Sequence, residues 1–335
     1  MRALVLVEYG RLEVREVPDP EPRDGWAILR VLATGICGSD IHGFTGENGR
    51  RFPGQVMGHE SVGRLTAPVG GMSAGDLVTF NPVVGGPHAS RYAGREQHDP
   101  GKWVIGVDPT HHAAFAEYVA VPRDNLVPVA PDLPPALGTL IEPLAVAVNG
   151  VGRAGDVRGQ WVLVLGGGPI GQGVALAAMR AGASVIVSEP DAARRDLCVR
   201  LGALVIDPNE GAVVDQLTRR GHDVTVAIDA VGSSATLADA LAVTPPGSTI
   251  VLVGMASPEI RMDAYRVSVG ERSVVGAFTY SASSFRDAAR WVSEGDRAIF
   301  DALITDVVRP EEAQSAFEAL AGGTGSAGKT VVDFD

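Results

Sequence analysis

Residues 161–180 read Trp161-Val162-Leu163-Val164-Leu165-Gly166-Gly167-Gly168-Pro169-Ile170-Gly171-Gln172-Gly173-Val174-Ala175-Leu176-Ala177-Ala178-Met179-Arg180, and their reading decides the fold. The first five residues are apolar without alternation, as in a strand buried on both faces. An apolar helical run follows the glycines and stops at Gly182, a good left-handed terminator. The uncharged stretch from Trp161 to Met179 is long enough to cross a bilayer. Its glycines and Pro169 break it instead into strand, glycine turn and buried helix. In that order Gly166 allows the tight turn, Gly168 lets a pyrophosphate approach the backbone, and Gly171 lets helix pack on strand, with Ile170 in the same loop. The helix start presents free N–H groups and a positive dipole end to phosphates. Glu189 ends the next strand, Ser184–Ser188, where a carboxylate can accept both ribose hydroxyls and repel a 2′-phosphate. NAD is therefore favoured over NADP. Arg194 and Arg195 pull the other way, since an arginine here can pair with a phosphate, and Arg194 is a candidate cofactor contact.

Outward from this loop the pattern repeats. Asp191 can cap a helix running to Leu201 and ended by Gly202. Leu204–Ile206, Val224–Ile228 and Thr249–Val253 read as further buried strands with helices between. Alternating elements at this spacing predict an α/β fold with a doubly wound parallel sheet, placed at residues 148–285. Residues 1–147 are β-rich and irregular. Strands are expected at 12–17 and 26–31, bounded by Pro18, Pro20, Pro22 and Gly25, and only 139–151 looks helical. The tail, 286–335, carries amphipathic helical stretches at 285–294 and 311–320 and a final strand at 329–334. Periodicity alone does not decide whether it extends the sheet or packs on the first domain.

Composition narrows the function. The 335 residues include 28 basic and 40 acidic side chains, a net charge of -12 that repels phosphate backbones and anionic lipid heads, so neither nucleic acid nor a membrane is an expected partner. An apolar share of 45% excludes the disordered class. Two cysteines cannot build a disulfide framework and point to a reducing compartment. The apolar run at the N-terminus is too short for a signal peptide, and a cytoplasmic location is expected.

Three segments carry metal-ligand chemistry: Gly35-Ile36-Cys37-Gly38-Ser39-Asp40-Ile41-His42, Gly58-His59-Glu60 and Ile141-Glu142-Pro143-Leu144. Cys37, His59 and a carboxylate are a thiolate, an imidazole and an oxygen, a set that zinc accepts. Dispersed as they are, they also fit a small buried thiol and a satisfied core histidine. Cys198, beside Leu197 and Leu201, reads as packing. Arg50 and Arg51 could receive an anionic substrate, but they read better as solvated loop arginines.

In order and spacing these segments, with Gly75-Asp76-Leu77-Val78, Phe115-Ala116-Glu117-Tyr118-Val119 and the glycine loop, resemble the zinc-dependent medium-chain alcohol dehydrogenases, particularly the sorbitol, threonine and butanediol branch. The resemblance covers almost the whole chain. It implies a GroES-like catalytic domain, an inserted Rossmann domain, and a C-terminal segment returning to the catalytic domain. It implies that Cys37 and His59 hold zinc, that Glu60 is a direct or alternating ligand, and that Glu142 coordinates directly or through water. Asp40 would orient His59. Val253, Ala277 and Phe278 are further candidates for cofactor contact, and a homodimer or homotetramer is expected.

The implied reaction is oxidation of a secondary alcohol or polyol, or reduction of the ketone. The metal eases loss of the hydroxyl proton. Ser39 takes that proton and passes it through the cofactor ribose to His42, while hydride goes to the nicotinamide. Counting charge, Cys37 and Glu60 already neutralise Zn²⁺, so Glu142 is not expected as a fixed fourth ligand beside Glu60. Many relatives add a lobe with four cysteines gripping a structural zinc. Here Gly85, His88, Arg91 and Asp99 align with those positions and cannot form a closed tetrahedral site, so one zinc per chain is expected. A substitute site from His88, His98, His111 and His112 is the weaker reading. Two rival functions remain: a metal-free NADPH-dependent quinone or enone reductase, disfavoured by Cys37, His59 and Glu189, and a non-catalytic NAD-binding protein, disfavoured by Ser39 and His42.

Overall fold

In the computed structural model, which describes residues 1–335 apart from Asn48 and His88, the chain divides into two units, one of residues 1–142 with 281–335 and one of residues 143–280. The divisions fall five residues ahead of those expected, between 142 and 143 and between 280 and 281. Helix Ile141–Ala154 begins before the first division point. Ser281, which caps helix Ala282–Glu294 by accepting from the Ser284 N–H, already belongs to the first unit.

Residues 143–280 form a parallel sheet in the order Leu204–Ile206, Ser184–Ser188, Trp161–Leu165, Val224–Asp229, Thr249–Leu252, Ser273–Gly276. Parallel strands covered by helices on both faces must be apolar throughout. Val162 to Leu165 and Val185 to Ser188 are accordingly buried without alternation. The strand order reverses between Trp161–Leu165 and Val224–Asp229, which makes the carboxyl ends of those two strands the place for a ligand. Helix Pro169–Arg180 begins there with proline in its first turn, where no N–H partner is lost.

The other unit is built on an antiparallel frame. Strand Trp26–Gly35 pairs with Glu60–Leu65, with Tyr118–Pro122 and with the tail strand Lys329–Asp333. Ile304–Val308 lies outside the tail strand, parallel to it. The tail therefore returns to the first unit, with Val331 opposite Gly35 and Val332 opposite Thr34. Apolar packing fixes the return. Phe317 from the tail meets Phe44 at 5.4 Å and Phe115 at 5.8 Å between ring centroids, within a cluster that also holds Leu4, Leu6 and Val332.

Several elements run against the sequence reading. Helix Gly38–Thr45 lies where the first 138 residues were read as lacking helix. Its two glycines and two hydroxyl residues are weak helix formers. It forms because the Asp40 carboxylate accepts the Cys37 N–H at 3.2 Å and because Phe44 is buried. Helix Arg297–Leu303 and strand Ile304–Val308 were likewise not expected. The helix is too short to show a clear period, and strand residues Thr305, Asp306 and Val307 are exposed.

The glycine loop yields one test. A Cβ on Gly171 would strike the carbonyl oxygen of Gly166 and lie 2.8 Å from its carbon. Gly171→Ala should therefore lose about 1–3 kcal/mol of stability through overpacking and weaken dinucleotide binding about tenfold or more. Chemical denaturation and titration with NADH measure both effects, and wild-type values for both would refute the packing role.

Candidate metal and dinucleotide sites

Gly58 has φ 99°, a left-handed conformation favouring glycine, and a Cβ there would sit 2.8 Å from the Phe115 amide nitrogen. This turn feeds His59 into strand Glu60–Leu65. Glu60 lies opposite Gly35, whose missing side chain leaves room for the Glu60 carboxylate, and Cys37 follows two residues on as the cap of helix Gly38–Thr45. Ligand atoms of Cys37, His59 and Glu60 lie within 4.8 Å of one another, the one such cluster among the described residues. His59 and Glu60 are buried and Cys37 is half-buried.

Asp40 is fully buried behind this triad. Its carboxylate faces the His59 Nδ1 at 3.6 Å, and Nδ1 has no hydrogen-bond partner among the described residues. Burial alone would raise the Asp40 carboxyl, but His59 and then Arg51 outweigh it and hold it below its ordinary value. Burial alone would likewise lower His59, yet Asp40 and Cys37 hold it well above the ordinary imidazole value. A metal ligand must be unprotonated, so a metal held by His59 would take the place of that proton.

Two buried cations were missed by the sequence reading. Lys329, 4% exposed, donates to both oxygens of Glu60 at 2.7 and 2.6 Å and to the Ile36 carbonyl at 3.1 Å. Burial would lower its ammonium, but Glu60, then Cys37 and Glu142, hold it above the ordinary lysine value. Arg51 corrects the solvated-loop reading outright. It is 1% exposed, and its Nη2 reaches Asp40 Oδ1 at 3.5 Å and Ser39 Oγ at 3.3 Å. Only a tail strand known to lie beside Glu60, or a loop known to fold over Ser39, would have marked either residue. Arg50, by contrast, is exposed. Ser39 and His42 lie one helical turn apart, and His42 Nδ1 pairs with Glu47 at 3.0 Å at the surface. Glu142 is buried at the start of helix Ile141–Ala154 but stands outside the close triad.

In the second unit Glu189 Oε2 accepts the Gly167 N–H at 2.6 Å, and Oε1 accepts the Asp191 N–H at 2.8 Å. Each oxygen has a second lone pair for a ribose hydroxyl. Arg195 is tied to the Glu189 and Pro190 carbonyls and to Asp207 at 2.9 Å, while an Arg194 guanidinium nitrogen lies 3.8 Å from where a Gly168 Cβ would be. Val253 and Ala277 follow the carboxyl ends of Thr249–Leu252 and Ser273–Gly276, on the same sheet edge as the glycine loop, and Phe278 beside them is 44% exposed. Cys198 packs under the loop, and burial, then Glu189, pushes its thiol up to about 12.

The lobe expected to lack a structural metal is closed by Asp99. Its buried carboxylate accepts the Gly86 and Gly101 N–H groups at 2.9 and 2.8 Å. Arg91, His98 and His112 are exposed, and His111 bonds the Ala120 carbonyl at 2.8 Å through Nε2. The His88 part of the substitute site lies outside the described residues.

Residues 23–132 match the alcohol dehydrogenase GroES-like domain and residues 169–294 the zinc-binding dehydrogenase family. The chain is 32% identical to the L-threonine 3-dehydrogenase of Pyrococcus furiosus, over 95% of this chain and 94% of that one. It is 30% identical to the D-xylulose reductase A of Aspergillus niger, over 96% and 94%. A Sinorhizobium meliloti structure with NADP bound superposes with a TM-score of 0.88 at 29% identity, covering 99% of this chain and 98% of that one.

Lys329→Met leaves the Glu60 carboxylate buried without its cation, which should cost about 3–5 kcal/mol, and a Glu60→Gln/Lys329→Met pair should recover most of it. The pair's contribution is complete below pH 10.5, the ordinary lysine value, and fades as pH climbs through the higher folded value. Denaturation of the three proteins at neutral pH, with the wild type followed into alkali, measures both. A single variant as stable as wild type would show that the contact contributes nothing.

Proposed function

The chain belongs to the zinc-type medium-chain alcohol dehydrogenases, oxidoreductases acting on CH–OH groups, and from that premise we propose that it oxidises a secondary alcohol or polyol with NAD at a single zinc site. The observation that carries the reading is the convergence of half-buried Cys37 with buried His59 and Glu60 beside helix Gly38–Thr45. A soft sulfur, an imidazole nitrogen and a carboxylate oxygen form a donor set that suits zinc. The His59 Nδ1, facing Asp40 and otherwise unbonded among the described residues, is what a metal-holding histidine needs for its second nitrogen. When bound, zinc lowers the pKa of a substrate hydroxyl and the nicotinamide accepts hydride.

The remaining work falls to the chain. Cys37 and His59 fix the metal, and Glu60 completes the set with its charge balanced by Lys329. Asp40 holds the imidazole in orientation. Ser39 accepts the substrate proton at Oγ and gives up its own hydroxyl hydrogen toward His42. With His42 Nδ1–H donating to Glu47, Nε2 is the nitrogen left to take a proton and release it to solvent. Glu142 would be a further carboxylate for the metal, directly or through water.

NAD is preferred because Glu189 presents negative charge where a 2′-phosphate would sit and because Arg195 is already engaged. The NADP in the Sinorhizobium meliloti structure makes this the discriminating measurement. NAD should give the higher kcat/KM with secondary alcohols and polyols, and Glu189→Ala should narrow the gap. Better turnover with NADP would transfer the selectivity to Arg194.

Metal analysis of the purified protein should return about one zinc per chain, because the aligned lobe positions offer no closed tetrahedral donor set and the Asp99 carboxylate there accepts the Gly86 and Gly101 N–H groups. Dialysis against chelator should remove that zinc and the activity together while leaving the fold. Two zinc ions per chain would overturn the single-site reading.

A further inference from the structure

Arg51 is a guanidinium buried beside a serine that already has a carboxylate for a neighbour. Its aliphatic stem crosses Gly43, where any Cβ would strike the Arg51 Cγ, and the Tyr9 hydroxyl donates to its carbonyl at 3.1 Å. Backbone and stem are thus both held. Asp40 alone would suffice to offset the buried charge. The same Nη2, however, also lies 3.3 Å from Ser39 Oγ.

We propose that Arg51 is a positioning residue for the proton transfer, holding Ser39 Oγ as an acceptor, an inference that rests on the dehydrogenase reading above. A guanidinium has donors and no lone pair, so the direction of this bond is fixed: nitrogen donates and Oγ accepts. One Oγ lone pair is thereby committed, and the serine hydrogen cannot point back at Arg51. The other lone pair takes the substrate proton while the serine hydrogen leaves on the opposite side, toward His42. One proton arrives, one departs, and no electrons move at Ser39. The guanidinium charge also stabilises negative charge gathering on Oγ during the handover.

Asp40 supplies the reason this cation can stay buried. Its carboxylate accepts the Cys37 N–H and faces both Arg51 and His59, so the helix cap, the orientation of the imidazole and the position of the serine share one charge.

The test is a four-protein cycle: wild type, Arg51→Lys, Ser39→Ala and the double variant. Lysine keeps the charge opposite Asp40 but has no guanidinium nitrogen to place at the Nη2 position, from which Ser39 is reached as well. Arg51→Lys should retain zinc and leave KM for the alcohol within about twofold, but lower kcat about tenfold and raise its solvent deuterium isotope effect. In the Ser39→Ala background the same substitution should change kcat by less than about twofold, since the serine it acts through is gone. Wild-type kcat in Arg51→Lys, or an equal loss with and without Ser39, would overturn the proposal and leave Arg51 as a partner of Asp40 alone. If zinc-loaded wild type reduces neither NAD nor NADP with any polyol, the dehydrogenase reading fails instead. The Tm values of the four proteins still judge the contact in that event: non-additive shifts support it, and additive shifts refute it.

Discussion

Burying a carboxylate without a partner costs several kcal/mol, and the first unit buries Asp40 and Glu60 within one small region. Each carboxylate is met there by a buried cation, and each pairing places a requirement on the fold. Glu60 obtains Lys329 from 269 residues away, and Asp40 obtains Arg51 from 11 residues away. The first requirement bears on the chain path, because Lys329 can reach Glu60 only if residues 281–335 return to the unit the chain began with. The strand Lys329–Asp333 beside Trp26–Gly35 and Phe317 between Phe44 and Phe115 are how that return is made. Apolar burial supplies most of the stability of such packing, while the ion pair selects its register. A one-residue slip of the tail strand would turn Lys329 to the other face of the sheet and leave Glu60 unpaired.

The second unit depends on space rather than charge. Gly166, Gly167 and Gly171 each lie where a side chain would meet a neighbour: Val231, Glu189 and the Gly166 carbonyl respectively. Close approach of helix to strand brings the Gly167 N–H to Glu189, so the carboxylate that the proposed NAD reading assigns to a ribose also closes the loop. Cys198 fills the space beneath and is kept neutral by burial, which removes it from chemistry.

This division explains what could be read from the sequence. The glycine loop, the strands on either side of it and the Asp191 cap are local features whose meaning is contained in about 30 residues. They stand in the structure nearly as read, with Asp191 accepting the Arg194 N–H at 2.9 Å. Cys37, His59 and Glu60 were suggestive as residue types and became specific only through resemblance to a family. Lys329 and Arg51 carried no signal, because a buried cation is identified by its distant partner and not by its neighbours in sequence. Helix Gly38–Thr45 was hidden for a related reason. Its stability comes from the Asp40 cap and the burial of Phe44 in a core assembled from both ends of the chain.

Those two cations also change the charge count around the proposed metal. Zn²⁺ with the Cys37 thiolate and the Glu60 carboxylate sums to zero, and on that count a further carboxylate was excluded as a lasting neighbour. Lys329 cancels Glu60, and Arg51 cancels Asp40, so neither carboxylate remains to offset the metal. With zinc held as proposed, the site would carry about one unit of positive charge. One further anion would balance it, and Glu142, buried at the start of helix Ile141–Ala154, is a carboxylate that could supply it. In the proposed reading Lys329, by cancelling Glu60, is therefore the residue that leaves the centre positive enough to favour loss of a substrate proton.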